Sequence, residues 1–114
     1  MELVVRVLLL VHLFGFAILV GGLVVQLRST APEVNAAMLH GAWLELLTGA
    51  ALVVLLVLGG GEIAYPQLSV KLGLTLLIVL LVSVNRKFSS IPRGLWALLT
   101  VLSLINAGVS VLWQ

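Results

Sequence analysis

The sequence predicts an all-α integral membrane protein, a four-transmembrane-helix bundle whose helices run alternately up and down. Three observations lead there. Of the 114 residues, 62% are hydrophobic and 9% charged, with a mean hydropathy of +1.31, whereas soluble domains carry about a quarter charged residues. Four apolar runs, roughly 3–27, 34–58, 67–85 and 94–113, each approach or exceed the about 20 residues that a helix needs to cross hydrocarbon. Their Leu and Val stretches lack the alternation of barrel strands, and helices are the other element that satisfies its own backbone in lipid. Little chain remains outside the runs, so residues 1–114 read as a single transmembrane domain.

The first run opens Met1-Glu2 without a basic cluster and is too long for a secretory signal. Pro32 also follows the one small-residue cut point near Ala31, so the run is expected to be retained. It sets His12 among apolar residues, then Gly15, Leu19, Gly22 and Gln26 at steps of three and four. On a helix those positions share one face, where the other helices are expected to pack. Thr30 with Glu33 matches a capping box, and Pro32 suits a first helical turn, so the second helix is expected to start there.

In the second run Gly41, Glu45, Thr48, Gly49 and Leu52 fall on one face, while His40, which also suits an interfacial place, and Trp43 point well away from it. Gly59-Gly60-Gly61-Glu62 stops that helix, since three glycines lose too much backbone entropy in one. Tyr65-Pro66 opens the third, in which Lys71, Thr75, Ile78, Val82 and Asn85 share a face. Ser90 is the expected cap of the last helix, with Pro92 soon after. There Trp96, Thr100, Ser103, Ala107 and Ser110 form a stripe with Asn106 beside it. Such small and polar residues let helices approach and hydrogen-bond in lipid.

The net charge is +2 and the pI near 9.7, but the charges lie mostly at helix ends, which argues against nucleic acid as a partner and for the bilayer. Arg28, Arg86, Lys87 and Arg93 occupy two turns on one side, against Arg6 and Lys71 toward the other. The positive-inside rule then makes those turns cytoplasmic and places both termini outside. Trp96, Tyr65 and Trp113 are expected at the interfaces. Cysteine is absent, which excludes disulfides, thioether-linked haem and thiolate metal sites.

Chemistry falls to His12, Glu45, Lys71 and His40, because ionisable groups in spans cost about 2.5–3.5 kcal/mol and usually face the bundle interior. Each has a plainer reading. His12 is also suited to hydrogen-bonding across the bundle, Glu45 to pairing with Ser or Thr on the last helix, and Lys71 to snorkelling outward. His12 lies about 14 Å and Lys71 about 6 Å below the outer helix starts, which a lysine stem and modest tilt bridge. His40 lies roughly 12–15 Å deeper than His12, too far for the two to clamp one haem iron. Glu45, Thr48 and Asn106 are expected in the bundle interior.

The segments His12-Leu13-Phe14-Gly15 with Val20-Gly21-Gly22-Leu23, Leu47-Thr48-Gly49, and Lys71-Leu72 running to Asn85-Arg86-Lys87 resemble the copper-resistance protein D family. They also resemble its relatives, the HemJ-type protoporphyrinogen oxidases. These are similar in having a histidine on the first helix, Thr-Gly on the second and a lysine opening the third. The resemblance implies a b-type haem, with His12 and Lys71 as the residues linked to it and His12 as ligand of the haem iron. It fits an expected home in the bacterial cytoplasmic membrane. Copper is disfavoured, because Cu(I) sites prefer thiolate and thioether ligands and the chain offers only Met1 and Met38.

Two classes of function follow. One is a haem-associated or redox-linked membrane protein using His12 with Lys71 near a propionate or substrate carboxylate. The other is a non-catalytic helical subunit packing in a homo-oligomer or a larger membrane complex through its glycine faces and polar stripe. No phosphate loop, nucleophile triad or metal-spaced cluster marks a reaction.

Overall fold

The computed structural model describes residues 2–63 and 65–113; Met1, Ala64 and Gln114 lie outside the described residues. Four helices, α1 (Glu2–Val24), α2 (Ala36–Leu58), α3 (Tyr65–Asn85) and α4 (Arg93–Leu112), account for nearly all of them. Each has 20 to 23 residues, hence a length of about 30–35 Å that matches a hydrocarbon core of about 30 Å. All four are long and apolar enough to cross a membrane. Large apolar side chains such as Leu13, Phe14, Leu47, Leu80 and Leu104 cover their outer faces. The protein is an integral membrane protein, and those faces meet lipid.

Chain neighbours are neighbours in space. α1 packs on α2, α2 on α3 and α3 on α4, and α4 closes the ring against α1 with the least contact. The α1–α2 crossing is the tightest, because Gly15 and Gly41 bring two backbones together. A Cβ on Gly41 would fall 2.7 Å from the Gly15 carbonyl oxygen and 2.9 Å from Leu19 Cα. Both obstacles are backbone, so neither can swing aside. Glycine at this crossing gives the close approach that substitutes in lipid for a hydrophobic drive.

The apolar core fills the half of the bundle nearer the α1–α2 and α3–α4 turns. Leu19 and Leu23 meet Met38 and Ala42 there, along with Ile78, Val79, Val82, Leu99 and Leu102. The two turns also bind each other: Ile91 N–H donates to the Pro32 carbonyl at 2.7 Å, and Arg86 donates to the Val34 carbonyl at 2.7 Å. The Arg93 guanidinium donates to the carbonyls of Ser29 and Leu27. The basic turns thus share one end of the bundle, with guanidinium groups satisfying carbonyls that the irregular backbone leaves open.

Several local expectations change. α1 ends at Val24, so Gln26 is not on the helical face but in the turn beyond it. There it is buried and holds residue 33 on both sides: its Oε1 accepts from Glu33 N–H at 2.7 Å, and its Nε2 donates to the Glu33 carbonyl at 2.9 Å. α2 starts at Ala36 with Asn35 as N-cap, whose Oδ1 accepts from Met38 N–H at 2.9 Å, in place of the Thr30–Glu33 box. Asn35 Nδ2 meanwhile donates to the Gly22 carbonyl at 3.0 Å. One side chain therefore closes α1 and opens α2, satisfying orphan groups of both ends.

α4 starts after Pro92 with no side-chain cap, so Ser90 does not serve that role. Trp96, in the first turn of α4, is buried at 7% exposure, and its indole N–H reaches the Leu23 carbonyl of α1 at 3.0 Å. Trp43 turns partly to lipid, yet its N–H donates to Ser83 Oγ on α3 at 3.1 Å.

Candidate functional site

At the other end of the bundle, away from the paired turns, the four helices do not fill the space between them. A cavity of about 430 Å³ remains, within the scale of small-molecule sites if its open side is counted. Leucines supply most of its wall: Leu9 and Leu13 from α1, Leu52 and Leu56 from α2, Leu68 and Leu72 from α3. Into this apolar wall each helix sets at least one polar group. These are His12 from α1, Glu45 from α2, Lys71 and Thr75 from α3, and Asn106 and Ser110 from α4.

His12 is anchored by its Nδ1, which lies 2.7 Å from Thr48 Oγ1. The direction of that bond depends on the His12 tautomer. Thr48 donates its one proton to the Leu44 carbonyl at 2.6 Å, one turn back on α2, so toward His12 it accepts. In that arrangement Nδ1 would carry the hydrogen and Nε2 the lone pair. Gly49, beside Thr48, leaves room for the ring: a Cβ there would sit 3.5 Å from His12 Cε1.

The same construction recurs on the other wall. Thr75 donates to the Lys71 carbonyl at 2.9 Å, so it accepts from Asn106 Nδ2 at 2.9 Å. Asn106 Oδ1 is left buried without a partner. Glu45, at 3% exposure, and half-buried Lys71 line the cavity and do not form an ion pair with each other.

The structure thus gathers His12, Lys71, Glu45 and Asn106 around one space, and adds Thr48 as the anchor of His12. His40 is exposed on α2 and is absent from the cavity wall. On α4 the buried face is Trp96, Leu99, Leu102, Ser103 and Asn106, while Thr100 and Ser110 of the expected stripe are more exposed. The leucine walls carried no signal in the sequence, since lipid-facing and cavity-facing leucines look alike. Among the described residues no group of three or more His, Cys, Asp or Glu is placed to hold a metal ion. Comparison with protein-family models, curated proteins and solved structures finds no match.

Proposed function

We propose that the protein is a haem-associated, redox-linked membrane protein of the copper-resistance protein D type, in which His12 would hold the haem iron. The observation that carries this reading is the 2.7 Å contact that ties His12 Nδ1 to Thr48 Oγ1 on the wall of an apolar cavity. An imidazole on a cavity wall with one ring nitrogen bonded to a second group has the form of a metal-ligating histidine. The residues present fit a b-type haem that takes one protein nitrogen. The leucine wall suits a macrocycle, and Lys71 supplies a cation for a propionate or a substrate carboxylate. A bound haem would supply one-electron chemistry in a dry site. The chain's own part is to hold the imidazole in one orientation, pair the carboxylate, and keep water out with leucines.

The test is a visible spectrum. Protein purified in mild detergent with haem supplied should show a Soret band that His12→Ala removes and His40→Ala leaves. A colourless preparation without haem by mass spectrometry overturns the proposal. That outcome would favour a helical subunit of a homo-oligomer or larger complex, a reading supported by exposed Gly21, Gly73 and Gly94. Nothing lies within 4 Å of where their Cβ atoms would be, and another helix has room to approach.

The proposal extends to orientation, in a bacterial cytoplasmic membrane with the basic turns inside and both termini outside. Tags at either terminus should be reachable in intact cells. Labelling only after lysis reverses that topology.

A further inference from the structure

The turn end of the bundle carries the chain's uncompensated charge. Arg28, Arg86, Lys87 and Arg93 stand there against the one carboxylate of Glu33, and all five are exposed. Among the described residues the one ion pair, Arg6 with Glu2, lies at the far end, so none of the four cations has a carboxylate partner. Two of them are fixed in place by backbone. Arg93 donates to the carbonyls of Ser29 and Leu27, the two chain neighbours of Arg28, and its guanidinium lies 5.3 Å from the centre of the Trp96 ring. Arg86 donates to the Val34 carbonyl at 2.7 Å. A guanidinium has five N–H groups, so both keep donors for a further acceptor, with much of their side-chain freedom already given up.

We propose that this end binds an anionic phospholipid, whose phosphate is held by the basic seam between the two turns while its acyl chains lie on the apolar residues beside them. The inference does not rest on haem or on which side the turns face. The seam is one patch, because Ile91 N–H joins the turns at the Pro32 carbonyl at 2.7 Å. Arg93 reaches both neighbours of Arg28, and Arg86 precedes Lys87, so the four cations start from one small area of backbone. The helices end at this level, at Val24, Ala36, Asn85 and Arg93, which is headgroup depth for spans of this length. Phosphate oxygens are the acceptors that a guanidinium fork matches in both geometry and charge. Exposed Val25, Leu27 and Phe88 flank the cations. They offer acyl chains an apolar surface for which a soluble phosphate has no use. Each cation beside an anionic headgroup is worth about a fivefold change in binding.

Native mass spectrometry reads the lipid directly. The unaltered protein in mixed micelles would be offered equal amounts of dioleoylphosphatidylglycerol and dioleoylphosphatidylcholine, which share their acyl chains and differ in headgroup charge. The anionic lipid should be retained at least about tenfold more often. Arg28→Gln and Lys87→Gln should each lower that preference about fivefold, and neither residue is in an ion pair that holds the fold. Arg6→Gln removes the same charge from the far end and should leave the preference intact. Equal retention of the two lipids by the unaltered protein overturns the proposal, and that comparison stands whether or not a variant folds. A loss in Arg6→Gln as large as in Arg28→Gln also overturns it, since net charge and not this surface would then set the preference. Displacement of the lipid by millimolar inorganic phosphate assigns the seam to a soluble anion and overturns the lipid reading.

Discussion

The two hairpins of the bundle carry the same polar device on differently built frames. In α1–α2 a threonine bonds the carbonyl one turn back and His12; in α3–α4 Thr75 bonds the carbonyl one turn back and Asn106. The frames differ in how the helices meet. α1 and α2 touch backbone to backbone at Gly15 and Gly41, whereas Gly73, Gly94 and Gly108 of the second hairpin have nothing within 4 Å of where a Cβ would stand. The first hairpin is therefore held by its backbone geometry and the second by its side chains. A histidine held by a rigid frame keeps one orientation, which metal ligation needs. On the second frame the group held is an amide.

The largest expected effect breaks the first frame. Gly41→Ala puts a methyl group against the backbone of Gly15 and Leu19, and should cost about 2–3 kcal/mol or more, at the upper end of overpacking. Unfolding in mixed micelles, followed by helix content, measures it. A neutral Gly41→Ala would mean that α1 and α2 do not cross here.

Next comes the residue that joins both ends of the first hairpin. Asn35→Ala removes the cap of α2 and the donor to the Gly22 carbonyl together, for about 1–2 kcal/mol in the same assay. Asn35→Asp keeps the cap alone and should recover part of that loss.

Thr48→Val and Thr75→Val compare the two polar devices directly. Each should cost only about 1 kcal/mol in stability. They should separate in binding. Thr48→Val releases His12 and should lower haem affinity by about 10–100-fold, while Thr75→Val should spare haem. Matched haem titrations of both variants make the comparison, and equal losses would show that the His12 anchor has no special part.

The smallest effect lies in the open glycines of the second hairpin. Gly73→Ala and Gly108→Ala meet no neighbour and should stabilise by up to about 1 kcal/mol through helix propensity. A loss as large as that of Gly41→Ala would place an unrecognised helix contact on that surface.

How much of this was legible in advance differs between the site's two walls. On the first, His12, Gly15, Leu19 and Gly22 lie at helical spacing in α1, and Gly41, Glu45, Thr48 and Gly49 in α2, so periodicity alone put the right residues on facing sides. On the second, Asn106 stood beside a stripe whose Thr100 and Ser110 proved more exposed, because polar spacing on one helix does not say which neighbour it will meet. Thr30, Glu33 and Ser90 offered good local capping patterns that the fold does not use. Asn35 and Gln26 won instead, since each satisfies groups on two segments at once.

The sequence by itself determined four membrane-spanning helices, their order and their stops, because hydrocarbon thickness and glycine entropy act on each segment alone. It also brought the basic turns to one end, since alternate helices must return. Only the tertiary structure decided that the core fills the turn end and a cavity the other. Only it decided that His12 meets Thr48 and that Asn106 meets Thr75. Those outcomes depend on how two helices meet, since each hydroxyl bonds a backbone carbonyl on its own helix and a side chain from its neighbour.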